Sequence, residues 1–212
     1  MHEWLPLFPL QVVLLPGTEL PLHIFEERYK DMIADVRRER SEFGVVLASR
    51  DGIAGIGCTA VIERVMREYP DGQLDILAVG RRRFDIGGIN QERPYLRCTA
   101  DYFDDDPDET VGGDSRVYKA KALEGFNTLR ALRGEAPLSI EGMQTAQLSF
   151  LLARSIQDLD LRQSLLVTRS EAERIRRLAE FFPAYLQQQQ RVEHVKQVAP
   201  RNGHGGNLNG VH

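Results

Sequence analysis

Residues 5–29 read LPLFPLQVVLLPGTELPLHIFEERY, a strongly apolar run broken at Pro6, Pro9, Pro16 and Pro21. Within it, residues 12–15 are apolar and partly β-branched, which predicts a short buried strand. Pro6 and Pro9 withhold backbone donors and fix φ, so they suit a sheet edge or a strand entrance. Pro16-Gly17 predicts a turn, and Pro21 the approach to a helix, where its missing donor costs nothing. Phe25, Tyr29, Met32, Ile33 and Val36 then share one face of a helix over about 24–38, with Glu26, Glu27, Lys30, Asp31 and Asp35 elsewhere. Acids early in this helix and Arg37-Arg38 near its end complement its dipole.

From residue 43 the hydrophobic period shortens to that of strands. FGVVLA (43–48), GCTAVIERV (57–65), LDILAVG (74–80), RRFDIGGI (82–89) and YLRCTADYF (95–103) are the candidates. Asp51-Gly52, Asp71-Gly72 and Gly87-Gly88 supply turn or bulge signals between or within them. Strands do not alternate with helices and no GxGxxG occurs, which excludes a dinucleotide-binding sheet. DYFDDDPDET (101–110) holds six acids in ten residues and predicts a solvated loop between two halves. Pro107 and the lack of calcium-loop spacing weaken a metal site there.

Beyond that loop the pattern turns helical. Val117, Ala120, Leu123, Phe126, Leu129 and Leu132 mark a helix over 115–133, and Ala146, Leu148, Phe150, Leu151 and Ile156 another over 144–156. A short helix is predicted over about 158–166. Thr168-Arg-Ser-Glu171 reads as a capping box for a last helix lined by Ile175, Leu178, Phe182 and Leu186, which Pro183 kinks or ends. The QQQQ run at 187–190 is polar. The division expected is a β-rich unit over 1–105, a helical unit over 114–198 and a disordered tail over 199–212.

Composition narrows the chemistry. The chain has 212 residues, with 27 basic and 31 acidic side chains and a formal charge of -4, which gives no bulk attraction to nucleic acid. The opening lacks a basic start and its apolar run is interrupted, unlike a signal peptide. No uncharged apolar window of about 18 residues is present for a membrane span. A cytoplasmic protein is expected, with Cys58 and Cys98 as two buried thiols.

No P-loop, HExxH or GxSxG motif occurs. His23 stands at the helix entry with no nucleophile that sequence can place beside it, and Glu26-Glu27 do not share a helix face. No catalytic residue, cofactor or metal site is therefore assigned. The sharpest basic feature is Arg81-Arg82-Arg83, with Arg64 and Arg67 in the preceding strand. Such a patch suits phosphates or acidic peptides, and it suits equally an exposed hairpin edge kept soluble by charge.

The opening block, FGVVL, residues 55–60 (GIGCTA), residues 71–76 (DGQLDI), residues 80–84 (GRRRF) and Pro94-Tyr95 resemble the Lon amino-terminal domain family, in its small standalone bacterial form. In the helical half DLDLRQSLL (158–166), Glu173-Arg174 and Leu178 continue the resemblance, which spans about 4–186. It implies an α+β fold: a PUA-like β pseudo-barrel with one early helix, followed by a helical subdomain. It supplies structural positions and no catalytic ones. Pro16 and Gly17 would form the turn, Pro21, Phe25 and Glu26 the helix entrance, Tyr29 an aromatic of its face, Asp71 and Gly72 a hairpin, and Phe84 the return strand after Arg83. In the full protease, ATPase and peptidase chemistry lies in other modules, which these residues do not contain. The function expected is noncatalytic recognition of unfolded or exposed polypeptide segments. An RNA-binding PUA-like module is the alternative, as is a structural or self-associating partner in a larger assembly; no membrane partner is expected.

Overall fold

A closed ring of hydrogen-bonded strands is built around the longest of them, residues 74–90. The structure, a computed structural model, describes residues 4–107, 114–139 and 147–198, with only the backbone of residues 114 and 193–198. In chain order these form β1 (Leu5–Leu10), β2 (Glu19–Ile24), α1 (Glu27–Glu39), β3 (Phe43–Ser49), β4 (Gly52–Ile53), β5 (Ile56–Glu68), β6 (Leu74–Asn90) and β7 (Arg97–Phe103). The helices α2 (Asp114–Leu132), α3 (Leu148–Ala153), α4 (Leu159–Val167) and α5 (Glu171–Val198) follow.

The sheet runs β1-β7-β6-β5-β3-β4, and a parallel β1–β3 pairing closes it, while β2 pairs with the first part of β6, Leu74 to Val79. This is the expected α+β class, a closed β pseudo-barrel with an early helix and later helices. Leu5, Leu7, Val46, Phe84 and Cys98 form part of its interior.

Several local expectations need correction. Residues 12–15 are not a strand, although Val13, Leu14 and Leu15 are buried. The strand is β1 instead, and it contains Pro6 and Pro9. It pairs with β7 at Leu5 and Pro6 and then with β3 from Leu7 to Leu10. Because its partner changes along its length, neither flank demands an unbroken row of donors. Pro21 lies within β2, opposite Leu77, rather than at the helix approach. Among the described residues this strand pairs only with β6, and an edge tolerates proline. Phe25 precedes the helix and is exposed, leaving Tyr29, Met32, Ile33 and Val36 as the buried face of α1. Glu26 is the N-cap residue without a side-chain cap bond; its carbonyl accepts from the amides of Tyr29 and Lys30.

β6 is one strand of 17 residues where the sequence suggests two. Gly80 does not break it. The Pro16-Gly17 turn lies directly on it: Gly17 N–H donates to Gly80 O, and Gly80 N–H to Thr18 O, both at 2.9 Å. A Cβ on Gly80 would fall 2.3 Å from the carbonyl oxygen of Leu15, so this glycine marks a close backbone approach. Asp71-Gly72 makes the expected hairpin turn, with Gly72 at φ +82. The Gly87-Gly88 pair coincides with a register shift against β7 between Ile86 and Ile89.

The residues cluster into two units, one from Met1–Thr110 and Thr145–Arg174, the other from Val111–Gln144 and Ile175–His212. This differs from the division at the acidic loop. The segment containing α3 and α4 belongs with the barrel because its polar side chains finish barrel hydrogen bonds. Arg162 donates to Val13 O at 2.8 Å and Gln163 to Ile56 O at 3.0 Å. Asp158 caps α4 by accepting from Leu161 N–H. The capping box of α5 is shifted from Thr168–Glu171: Ser170 Oγ accepts from Glu173 N–H. Thr168 Oγ1 instead bonds back to Ser164 O.

In the second unit, Ala122, Phe126 and Leu129 of α2 are buried, while Val117 and Leu132 are exposed. Gly125 lies against Phe182, where a Cβ would come within 2.6 Å of that side chain. α5 runs on through Pro183 rather than ending there. The expected tail, 199–212, and the start of the 144–156 helix lie outside the described residues.

Candidate protein-binding surface

The five arginines singled out by the sequence do not converge. Arg83 is only 3% exposed, because β6 is covered on both faces at this point. Phe84 points into the barrel, and Arg83 donates to Leu166 O, Thr168 O and Asp105. It is thus removed from the proposed patch. Arg82 is exposed but engaged, with Glu42 at 3.1 Å and its guanidinium over the Tyr102 ring. Arg81 is exposed and makes no ion pair among the described residues. Arg64 and Arg67 sit opposite Leu77 and Asp75, about 13 and 20 Å along the sheet from Arg81 at the usual strand rise.

Arg64 and Arg67 instead border an apolar surface. Residues directly opposite in neighbouring strands project to the same side of a sheet. The register aligns Glu19 with Val79 and Val61, Pro21 with Leu77 and Arg64, and His23 with Asp75 and Arg67. Ile76 and Ala78, alternating with these along β6, are buried in the barrel. The outer side of β2–β6–β5 therefore has Pro21, Leu77, Val79 and Val61 at its centre and charges at its ends. Pro21 is exposed, and the other three are half-buried. Met66, at the register shift between Val65 and Arg67, is 48% exposed, and Phe25 is 58% exposed.

The charged end near the hairpin is a bonded cluster. His23 Nδ1 lies 2.7 Å from Asp75 Oδ1, and the Tyr69 hydroxyl donates to Asp75 Oδ2 at 2.8 Å. These two hydrogen bonds, His23's foremost, hold the Asp75 carboxyl below the ordinary range. Phe25 stacks on His23, and Arg67 lies over Tyr69. His23 is thus an exposed histidine bonded to a carboxylate, with no thiol or hydroxyl nucleophile bonded to it among the described residues. Burial pushes the Cys58 thiol up to about 12 and Cys98 up to about 11, so neither is a ready nucleophile. Among the described residues no group of three or more His, Cys, Asp or Glu could hold a metal ion.

Beside this face lies a cleft of about 380 Å³ between the end of α1 and β5, with Val36, Arg37, Arg40, Ser41, Val61 and Arg64 in its walls. Sequence reasoning missed Arg40 and Ser41, and it read Arg37 only as a complement to the helix dipole. The signal for Arg40 is the segment RRER over 37–40, whose three arginines exceed what a helix terminus needs; Ser41 carries no such signal. The acidic segment also departs from expectation. Asp101, Asp104 and Asp106 are exposed, whereas Asp105 is drawn inward by Arg83 and Arg174. Residues 108–110 lie outside the described residues. No described helix is long and apolar enough to cross a membrane.

Residues 4–192 match the family described as the ATP-dependent protease La (LON) substrate-binding domain. A Lon protease of Flavobacterium johnsoniae is 27% identical over 161 residues, covering 70% of this chain and 19% of that protein. A Lon protease of Parabacteroides distasonis is 30% identical over 117 residues, covering 51% of this chain and 14% of that protein. The chain thus spans less than a fifth of these bacterial relatives. A crystallised Lon N-terminal domain protein from Xanthomonas campestris superposes with a TM-score of 0.66 at 28% identity, covering 84% of this chain and 98% of that one. The N-terminal domain of a Mycobacterium avium complex Lon protease has the same fold, with a TM-score of 0.63 at 17% identity over 85% of this chain and 98% of that one. With this match across nearly all of its described residues, the chain belongs to the LON substrate-binding domain family.

Proposed function

We propose that this chain is a noncatalytic module that binds unfolded or exposed polypeptide segments. The observation that carries the reading is the outer face of β2–β6–β5, where Pro21, Leu77, Val79 and Val61 lie together on solvent-facing positions. A contiguous apolar surface rimmed by charge is a common protein-interaction feature. An unfolded chain supplies what it lacks: apolar side chains otherwise hidden in folded proteins. The family's description as a substrate-binding domain supports the same reading. Proteolysis would belong to the parts of the relatives that this match does not cover. The two buried, unpaired thiols suit a cytoplasmic setting.

RNA binding has less support, since the arginine cluster is divided and Arg83 is buried. The test is fluorescence anisotropy with a labelled, permanently unfolded polypeptide, with a folded protein and single-stranded RNA titrated in parallel. Saturable binding to the unfolded chain alone is expected. Its absence overturns the proposal, leaving a scaffold role, and salt-dependent RNA binding in its place favours the nucleic-acid alternative.

A further inference from the structure

Between Ala60 and Val61 the surroundings of β5 change. β3 pairs with β5 at Cys58, Thr59 and Ala60. Past that point the chain leading into β3 is occupied with closing α1: Arg40 adopts a left-handed conformation at φ 52, and its amide bonds to Val36 O. Residues 61–68 consequently pair with β6 on one side and with no strand on the other among the described residues. This free edge, VIERVMRE, contains no proline, one of the usual devices that blunt an edge. The cleft against α1 opens along its first half.

We propose that this edge and cleft bind an extended polypeptide segment carrying acidic side chains, which adds to β5 as a strand. The inference rests on the polypeptide-binding reading above and specifies the kind of segment bound and its position. Backbone groups of an added strand satisfy those of the edge, and its alternate side chains give selectivity. Charge sets the selectivity here. Arg40 and Arg64 are exposed and make no ion pair among the described residues, whereas Arg38 is held by Asp35 and Arg37 by Glu68. Glu63 is the acid in the cleft wall, so two uncommitted guanidinium groups face one carboxylate. The Ser41 hydroxyl is shielded from solvent with no hydrogen-bond partner among the described residues, and a group lying in the cleft would satisfy it.

The register refines the ligand. The shift between Ile62 and Arg64 places Val61, opposite Val79, and Arg64, opposite Leu77, on the same outer face. An added strand would therefore set an apolar side chain beside Val61 and an acidic one beside Arg64, and continue the apolar surface of Leu77 and Val79. Opposite charges across a strand pair are favourable, and like charges are not. The competing explanation is that these charges and bulges only protect the edge from aggregation.

The experiment titrates the full chain with three labelled peptides of about ten residues whose every second residue alternates valine with glutamate, with serine or with lysine, so that both kinds of side chain share one face of the strand, the intervening residues being threonine. The unfolded polypeptide is titrated beside them. The glutamate peptide should bind about tenfold more tightly than the lysine peptide, and Arg40→Glu with Arg64→Glu should reverse that order. Both side chains are exposed and make no ion pair among the described residues, so the melting temperature of the double variant should match that of the unaltered chain. Hydrogen exchange should show new amide protection within 61–68 when the glutamate peptide binds. Equal affinity for the three peptides, a preference that survives both reversals, or unprotected amides in 61–68 would overturn the proposal. If the unfolded polypeptide still binds in that case, only the edge site falls; if it does not bind, the broader reading falls with it.

Discussion

Arg174, wholly buried, grips Asp105 through both terminal nitrogens, at 2.6 Å from Nη1 and 2.5 Å from Nη2. Glu171 and the Ser149 hydroxyl take further bonds from the same guanidinium, and Arg83 also donates to Asp105. Two cations thus meet two carboxylates, and the start of α5, the segment after β7 and β6 are bonded together. Removing one partner of a buried ion pair leaves the other charge uncompensated. Arg174→Ala should therefore lower stability by about 3–5 kcal/mol, read as a lower urea midpoint with little change in slope. A loss below 1 kcal/mol would mean that water readily replaces the arginine.

The same pair makes stability depend on pH. Burial alone would raise the Asp105 carboxyl, but the hydrogen bond and charge of Arg174, then those of Arg83, outweigh it and hold the pKa below the ordinary value. A depressed folded-state pKa contributes stability that is present above the unfolded value of about 3.9 and disappears as pH falls through the folded one. Acid unfolding should steepen below about pH 4. Asp105→Asn should be less stable at neutral pH and lose less stability on acidification. Parallel stability–pH curves for the two proteins would rule out this contribution.

Asp105 also marks the limit of what sequence pattern discloses. The acid-rich run predicts solvated charges, and Asp101, Asp104 and Asp106 are indeed exposed. Nothing local separates Asp105 from them, because its partners Arg83 and Arg174 lie 22 and 69 residues away. Arg83 was equally opaque: within an arginine triplet, only the strand register and the helices over it decide which side chain is buried. By contrast, Tyr29, Met32, Ile33 and Val36 were legible because helical spacing is local. The outer face was half legible. The continuous apolar run LDILAVG showed that both sides of β6 carry apolar residues, but not that β2 and β5 would bring Pro21 and Val61 beside Leu77 and Val79.

Gly80 tests how closely the Pro16-Gly17 turn must approach β6. A methyl group would overlap a backbone oxygen, which yields less readily than a flexible side chain. Gly80→Ala should cost about 1–3 kcal/mol through forced backbone shifts and lower the melting temperature. Gly55→Ala, with its nearest heavy atom at 4.0 Å, should stay within about 0.5 kcal/mol of the parent.

Leu77 separates apolar capture from recognition by an arginine patch. It is half-buried at the middle of the outer face, flanked by Pro21 and Arg64. Leu77→Ser removes apolar area from the proposed contact without placing a charge in the barrel, so affinity for unfolded polypeptide should fall about threefold to tenfold. Arg81→Ala, at an exposed side chain with no ion pair among the described residues, should leave that affinity within about twofold. The comparison is made by anisotropy after matched melting curves show both variants folded. If Arg81→Ala weakens binding while Leu77→Ser does not, the binding surface lies at the arginine triplet and the apolar face is merely tolerated exposure.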